Sequence, residues 1–350
     1  MVAVNDTVWA AENTTPAAIE EALRAMLAER HAESAGYVAA RVLNLVCIVD
    51  RQWSGEIANR LRGVGRYQAS RTIVCAVTEG RTTLDAVATI AADATPGDGE
   101  TALTFETIVV DVGSEHLAHL DSIVDPLIAS ELLTLVWAPH GHWEAVDALA
   151  RLSQCVLLDS SEEPDVAVAL RRAASLLESR AVVDLAWLRS TPWRERVATI
   201  FDGAARRPQL REISGLAVRH HPISGTAALL LCGWLGSRLG WPACPLRHEA
   251  IGHAEGEMGD VFVALDSTEQ EVPGLSGLTL TLRDGSSWSL DRGPGGLLAR
   301  QREAAGVERS WRLLGASRGE GGILGEGIRQ SLLSDRVYGE ALAFASAMLT

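Results

Sequence analysis

The chain has 350 residues, of which 47% are apolar, and this length and composition predict two domains with a buried core. Its formal net charge of −14 argues against the basic face that nucleic acids and anionic membrane surfaces require, so we expect neither as a partner. The sequence contains no lysine, which excludes Schiff-base chemistry and a phosphate-binding P-loop.

The first half of the chain alternates helical patterns with apolar runs typical of buried strands. Thr15 and Pro16 predict the start of an amphipathic helix over Pro16–Ser34. The predicted strands are Arg41–Asp50, Thr72–Val77, Thr107–Val112, Leu132–Ala138 and Cys155–Leu158. Further predicted helices are Ser54–Arg62, Glu115–Ile128, His142–Leu152 and Pro164–Ser179, while Thr83–Thr104 is interpreted as a short helix and a loop. This alternation favours an α/β domain over residues 1–180, a mostly parallel sheet with flanking helices.

The pattern of the second half indicates a different class of domain. Its predicted elements are a helix over Asp184–Phe201, a strand over Gln209–Val218, a buried helix over Gly225–Leu239, and a strand at Val261–Leu265. Apolar residues alternate from Leu278 to Leu282 before Asp284-Gly285, which predicts a hairpin. Loops are expected at Gly293–Gly296 and Gly315–Gly325, and a last helix at Ile328–Leu349. We therefore predict a C-terminal α+β domain with antiparallel strands over residues 181–350.

The chain shows no targeting or membrane-spanning signal. No apolar run reaches the roughly 18–20 residues that cross a bilayer, and the first residues lack the basic start and apolar stretch of a signal peptide. The five cysteines form no C-x-x-C pair, and Cys47, Cys75 and Cys155 lie in apolar runs. We expect a cytoplasmic protein with reduced thiols.

No catalytic or metal-binding motif is complete. The sequence lacks a G-x-S-x-G elbow, and Gly63-Val64-Gly65 precedes a strand, so we interpret it as a loop and not as a dinucleotide fingerprint. His248 and His253 are five residues apart, which does not place them on one helix face, and we interpret them as surface or hydrogen-bonded histidines. We predict no metal and no cofactor.

One segment has the pattern of an anion site. Arg219, His220 and His221 follow a predicted strand, and Ser224-Gly225-Thr226 opens the next predicted helix. Free N–H groups at a helix start attract anions, so Arg219, His220, His221, Ser224 and Thr226 are candidates for binding a phosphate or carboxylate. Ordinary helix capping by Ser224 is the alternative.

Asp184–Val197, DLAWLRSTPWRERV, combines tryptophans and arginines with a helix start at Thr191-Pro192. One interpretation is a core helix with a good start signal. The other is a contact surface for a partner protein, built on Trp187, Arg189, Trp193 and Arg194, because tryptophan and arginine dominate binding hot spots.

Five segments together resemble one known family: Arg41–Val49, Ser70–Val74, Pro126–Trp137, Asp184–Arg194 and His220–Trp241. The chain resembles the glucose-6-phosphate dehydrogenase assembly proteins, OpcA, of actinobacteria and cyanobacteria. Asp184–Arg194 is the most specific of these segments. The resemblance implies a non-catalytic protein that binds glucose-6-phosphate dehydrogenase and favours its active oligomer at the entry to the oxidative pentose phosphate pathway.

Two other functions remain open. One is an enzyme or sensor for a phosphorylated sugar, with its site at Arg219–Thr226. The other is a scaffold for an unrelated protein. A ligand-induced rise in thermal stability without the dehydrogenase distinguishes the first, and co-purification from the host distinguishes the second.

Overall fold

The computed structural model describes residues 6–39, 41–65, 70–92, 94–95, 100–314, 319–333 and 335–349. The chain forms two compact units. The first comprises Met1–Leu158, Arg180–Val183 and Glu320–Leu333, and the second comprises Asp159–Ser179, Asp184–Gly319 and Ser334–Thr350. The single boundary between residues 180 and 181 stays a prediction, and the two units exchange short segments on either side of it.

The first unit is built on a mixed sheet whose central strands are parallel. Within the described residues its strands are β1 Thr7–Ala11, β2 Tyr37–Ala39, β3 Leu43–Asp50, β4 Ser70–Thr78, β5 Asp85–Ala92, β6 Ala102–Gly113, β7 Leu133–Trp137, β8 Cys155–Leu158 and β9 Ala181–Asp184. The order is β1-β5-β6-β4-β3-β7-β8-β9, with β2 beside β6. Neighbouring strands from β6 to β8 run parallel, and β5 and β1 are antiparallel additions. The mostly parallel sheet is confirmed.

Helices flank this sheet: α1 Pro16–Glu33, α2 Ser54–Gly65, α3 Leu120–Val124, α4 Trp143–Ala148 and, near the end of the chain, α9 Gly319–Gln330. Thr15 caps α1 as predicted, because its hydroxyl accepts a hydrogen bond from the N–H of Ala18 at 3.3 Å. Ile19 and Leu23 of α1 are fully buried. The apolar runs of β3 and β4 are also buried, as expected for central strands covered on both faces.

Several local predictions for this unit are wrong. The segment interpreted as a short helix and a loop contains β5, whose burial alternates along the strand. Most of the buried residues of β5 are alanines, which contribute a weak hydrophobic signal, so the alternation with a period of two was not recognised in the sequence. The predicted helix Glu115–Ile128 is broken into 3-10 turns around α3. Gly63–Gly65 end α2 instead of forming a loop.

The second unit contains an antiparallel sheet with one parallel pair. Within the described residues its strands are β10 Ile213–His220, β11 Arg247–Ala250, β12 His253–Met258, β13 Val261–Ser267, β14 Leu275–Leu282, β15 Ser287–Gly293, β16 Gly296–Arg302 and β17 Glu308–Leu314. The order is β11-β12-β13-β10-β14-β15-β16-β17. Only the β10–β13 pair is parallel among these described strands. The predicted α+β class with antiparallel strands is confirmed.

The helices of this unit are α5 Val166–Leu177, α6 Leu185–Arg189, α7 Thr191–Phe201, α8 Gly225–Leu239 and α10 Arg336–Ala347. Helix α8 is buried as predicted, and two glycines let α10 approach it closely. A Cβ atom at Gly233 would lie 2.2 Å from the carbonyl oxygen of Ala341, and one at Gly236 would lie 2.2 Å from the ring of Phe344. None of the described helices is both long and apolar enough to cross a bilayer.

The sequence misplaced some boundaries here too. The helix predicted over Asp184–Phe201 is two helices that meet at Ser190, and Ser190, not Thr191, occupies the cap position of α7. The predicted strand Gln209–Val218 begins with a 3-10 turn over Arg207–Glu212. Most of the predicted loop Gly315–Gly325 belongs to α9 from Gly319 on, and residues 315–318 lie outside the described residues. Strands β16 and β17 were not predicted.

Candidate functional site

Asp184 is the buried centre of the segment that the sequence singles out. It ends β9, and its Oδ1 accepts hydrogen bonds from the N–H groups of Ser160 at 3.1 Å and Ala186 at 2.9 Å. Its Oδ2 accepts from the hydroxyls of Ser160 at 2.6 Å and Tyr338 at 2.9 Å. The cap on Ala186 starts α6, so one carboxylate fastens three separate parts of the second unit.

Burial sets the protonation of this cluster. Desolvation, followed by the neighbouring charge of Asp159, raises the pKa of Asp184 to about 6, against the lowering effect of its hydrogen bonds. Burial and the Asp184 charge raise the pKa of Tyr338 well above its usual range. The hydroxyls of Ser160 and Tyr338 both donate to the carboxylate, and these hydrogen bonds tie Ser160 and the start of the last helix to Asp184.

Trp187 lies against this cluster and is only 2% exposed. Its indole N–H donates to Oδ2 of Asp335 at 2.8 Å, and its ring lies 5.7 Å from that of Tyr338. The other carboxylate oxygen of Asp335 caps α10 by accepting from the N–H groups of Val337 and Tyr338. Trp187 therefore joins α6 to the start of α10.

Arg194 stacks on the indole of Trp187, with its guanidinium carbon 3.4 Å from the ring centroid. The guanidinium also donates to Oγ of Ser190 at 3.1 Å, to Oγ1 of Thr191 at 2.9 Å and to the carbonyl of Trp187 at 3.2 Å. Burial lowers the pKa of Arg194 to about 10, which leaves it charged at neutral pH. Arg194 thus locks the junction between α6 and α7.

The other two residues of the predicted contact surface differ in exposure. Trp193 is 5% exposed and belongs to the core. Arg189 pairs with Asp159 at 2.6 Å and keeps 30% of its side chain exposed. In this conformation the two indoles pack inside the unit, and Arg189 and Arg194 are the half-exposed members of the set. A role of the four residues in binding a partner stays a prediction.

The residues of the predicted anion site do not converge. Arg219 pairs with Asp291 at 2.7 Å, whereas the next residue on β10, His220, is buried and contacts the carbonyl of His221 through Nδ1 at 2.8 Å. Neighbouring residues on a strand point to opposite faces, which separates Arg219 from the helix start. Burial lowers the pKa of His220, so its ring is neutral at neutral pH.

Internal hydrogen bonds also occupy the start of α8. Oγ of Ser224 accepts from the N–H of Gly274 at 2.8 Å and does not cap the helix. Nδ1 of His221 accepts from the N–H of Ile223 at 3.3 Å, and Thr226 is 1% exposed. Anion binding at these five residues stays a prediction, and in this structure their side chains are buried or form hydrogen bonds or ion pairs within the unit.

A cavity of about 530 Å³ lies elsewhere in the second unit, at the C-terminal end of α8. Its lining combines apolar residues with four arginines, Arg207, Arg211, Arg238 and Arg283, and a single acid, Asp260. Three of these arginines have acidic partners, and among the described residues Arg211 makes no side-chain ion pair or hydrogen bond. The sequence did not indicate this cavity because its arginines come from three separate places in the chain: the 3-10 turn Arg207–Glu212, α8, and the turn after β14.

The histidines considered for a metal site form hydrogen bonds with acids. His253 contacts Asp266 at 2.7 Å through Nδ1 and Glu255 at 3.3 Å through Nε2, and these acids raise its pKa. His248 lies on the next strand, β11, and is exposed. Across the described ranges, no group of three or more His, Cys, Asp or Glu side chains is placed to hold a metal ion.

The cysteines are free thiols, and four of the five are buried. Burial raises the pKa of Cys75 and of Cys155 to about 12, and it also raises the pKa of Cys47 and Cys232. These four thiols stay protonated and unreactive at neutral pH. Cys244 is half-buried.

Two family profiles cover most of the chain. Residues 63–175 match the glucose-6-phosphate dehydrogenase subunit N-terminal domain, and residues 180–342 match the C-terminal domain of the same subunit. The chain belongs to the OpcA family. An OpcA from Synechococcus elongatus, provisionally named an OxPP cycle protein, is 26% identical over 180 residues. A protein of the same name from Synechocystis sp. is 28% identical over 145 residues.

These alignments are partial. They cover 50% and 40% of this OpcA chain, and 40% and 30% of the respective relatives, so the chain spans less than half of the curated proteins it matches. Among solved structures, an oxidoreductase from Sinorhizobium meliloti is similar over 88% of this chain and 96% of its own, with 10% identity and a TM-score of 0.45. A scyllo-inositol dehydrogenase from Lactobacillus casei gives 9% identity, 89% coverage of both chains and a TM-score of 0.37.

Proposed function

We propose that this chain is a non-catalytic assembly factor that binds glucose-6-phosphate dehydrogenase and favours its active oligomer in the cytoplasm. The observation that carries the proposal is the pair of matches to that enzyme's subunit domains, over residues 63–175 and 180–342. The segment Asp184–Arg194 supports a role in assembly over one in catalysis, since its polar groups bond to one another around a buried carboxylate.

The mechanism follows from linkage. A protein that binds one oligomeric state of an enzyme more tightly than another shifts the population towards the state it prefers. A difference of about 1–3 kcal/mol in binding free energy changes the active fraction several-fold to a hundredfold. No bond of a metabolite has to be formed or broken by this chain.

The proposed contact involves the outer side of the α6–α7 junction. Arg189 and Arg194 are held in place by Asp159 and by the ring of Trp187, so they would meet a partner with little loss of side-chain entropy. Trp187 contributes from inside the unit, because its ring holds Arg194 in place, and Trp193 is buried in the core. Their own contact with a partner would require the junction to open.

The test is the oligomeric state of purified glucose-6-phosphate dehydrogenase from the same organism, measured by sedimentation velocity with and without this chain. We expect a shift to a larger, mixed species that contains both proteins. Arg189→Gln should weaken this shift, and the matched variant Arg24→Gln, which neutralises an exposed arginine of α1, should leave it unchanged. Separate sedimentation of the two proteins at every concentration would refute the proposal.

The arginine-lined cavity supports a second candidate function, the sensing of a phosphorylated sugar. A volume of about 530 Å³ suits a small metabolite, and Arg211 has no internal partner among the described residues to displace. Glucose 6-phosphate should then raise the thermal unfolding midpoint of the isolated chain, and Arg211→Gln should abolish the rise. An equal rise with glucose, or none with either sugar, would remove this candidate.

A further inference from the structure

Among the described residues, one face of the eight-stranded sheet carries half-exposed and exposed side chains along its central strands. Burial alternates along β10. Leu216 and Val218 are buried, whereas the alternate residues Gly215, Ala217 and Arg219 are half-exposed. The three nearest atoms that a Cβ atom added at Gly215 or at Gly277 would meet all belong to the sheet itself. We call the side of the sheet that carries these half-exposed residues the open face.

One row at the centre of the open face is made of small side chains. The strand register aligns Ala264, Ala217, Thr279 and Ser289 in this row across β13, β10, β14 and β15. The adjacent row carries Arg219, whose guanidinium lies beside Gly277 and pairs with Asp291 at 2.7 Å. Packed sheets approach to about 10 Å, which the small side chains of the first row permit. Phe262 of β13, in the row on the other side, is 44% exposed and is the large apolar side chain that such packing would cover.

The flanks of the open face carry opposite charges. The row through Ala217 carries Glu255 on β12 and Arg300 on β16, and it continues to Arg247 and Ser310 on the edge strands β11 and β17. The next row, through Gly215 and Thr281, carries Glu257 on β12 and Arg302 on β16, and it continues to Glu308 on β17. Acids thus lie two strands to one side of the central pair β10–β14, and arginines lie two strands to the other side.

Some of these charges have partners within the chain and others do not. Glu255 contacts Arg247 at 3.6 Å and His253 at 3.3 Å, and Arg300 approaches Asp291 to 4.0 Å. Glu257 and Arg302 form no ion pair with any described residue. These two exposed charges of opposite sign are therefore available to a partner that presents the reverse arrangement.

We propose that the open face binds the open face of a second copy of this chain. A two-fold axis that runs parallel to the central strands, between β10 and β14, places β12 of each copy over β16 of the other. Acids then meet arginines on both flanks, and the small residues meet in the middle. The same surface supplies both halves of the contact, as a closed two-fold dimer requires.

The size of the face is sufficient for such a dimer. Eight strands at about 4.8 Å spacing and five residues at about 3.3 Å rise give about 600 Å² per copy, or about 1,200 Å² in total. The strands of two packed, twisted sheets cross at about −30°. This rotation displaces facing residues on the flanks of the two copies by up to one row. A displacement by one row leaves one acid–arginine pair on each flank, because both β12 positions are acidic and both β16 positions are basic.

Sedimentation velocity of the isolated chain, without any dehydrogenase, tests the proposal separately from the proposed function. We expect a dimer that weakens at least tenfold in Glu257→Arg and in Arg302→Glu, since each change creates two like-charge contacts per dimer. Combining both changes in one chain should restore the dimer, and so should mixing the two single variants. Glu131→Arg, an exposed charge reversal in the first unit, is the control and should dimerise normally.

Three results would overturn the proposal. A chain that remains monomeric at about 100 μM, well above the micromolar range of weak specific complexes, has no such interface. A dimer that is indifferent to both single variants uses another surface. A dimer that both single variants weaken but their combination does not restore lacks the β12–β16 pairing.

Discussion

Ionisation of Asp184 lowers the stability of the folded chain. Its pKa is raised from the ordinary 3.8 to about 6 by burial, so between these two values the folded chain keeps a proton that the unfolded chain has released. Raising the pH through this interval therefore lowers stability through this group. The cost approaches about 3 kcal/mol at neutral pH, since each pKa unit corresponds to about 1.4 kcal/mol.

Asp184→Asn should remove this pH dependence. The amide can still accept from the N–H groups of Ser160 and Ala186, and the two hydroxyls can rotate to accept from its NH₂ group. Urea unfolding at pH 4.5 and pH 7 measures the effect: the free energy of unfolding of the wild type, relative to the variant, should fall as the pH rises. A constant difference between the two chains would show that Asp184 does not titrate in this interval.

Arg194 should stabilise the second unit through its contact with Trp187. Arg194→Ala removes a guanidinium stacked at 3.4 Å and three hydrogen bonds, which we expect to cost about 2 kcal/mol in unfolding free energy. Arg194→Lys should recover little of it, because an ammonium group lacks the planar face and the fork of donors. If both variants unfolded at the same urea concentration as the wild type, this role of Arg194 would be contradicted.

At the residue scale, the sequence indicated which residue types matter but not whether their side chains are buried or exposed. Tryptophan and arginine in one segment left two interpretations, a core helix and a contact surface, and in the structure the indoles of Trp187 and Trp193 fill the core. Their burial depends on Tyr338 and Asp335, which lie almost 150 residues further along the chain, as the sequence separation of 148 between Trp187 and Asp335 shows. No local pattern contains that information.

At the scale of elements, the packing of α8 on α10 depends on Gly233. Gly233→Ala would place a methyl group 2.2 Å from the carbonyl oxygen of Ala341, which the backbone of α10 can relieve only by moving. We expect a loss of at least about 2 kcal/mol in unfolding free energy.

Gly339→Ala in α10 is the matched control, because its added methyl group meets nothing within 4 Å. The usual gain of about 0.5–1 kcal/mol for alanine in a helix should then appear. Equal effects of the two substitutions in thermal unfolding would mean that the helices do not pack as closely as described.

The elements that the sequence located well are those with strong local signals. Strand β8 and helix α8 have the bounds expected, because a short apolar run and a long apolar segment before Gly240 leave few alternatives. Strand β5 and helix α9 were missed for the opposite reason. Alanines in β5 and glycines in α9 have weak or contrary propensities, and tertiary contacts decide their conformation.

At the scale of the whole molecule, the thiols report on the integrity of both units. Because only Cys244 is not fully buried, the native chain should react with about one equivalent of Ellman's reagent, and the unfolded chain with five. Absorbance at 412 nm follows this reaction. Rapid labelling of more than two thiols in the native chain would contradict the burial of the core strands.

Activation of the dehydrogenase tests the proposed function most directly. The measurement is the rate of glucose-6-phosphate dehydrogenase as a function of glucose 6-phosphate concentration, with and without an excess of this chain. Binding to the active oligomer should lower the apparent substrate requirement several-fold or raise the maximal rate, and the chain alone should produce no NADPH. Superimposable curves in the presence and absence of the chain, or turnover by the chain alone, would contradict a non-catalytic activator.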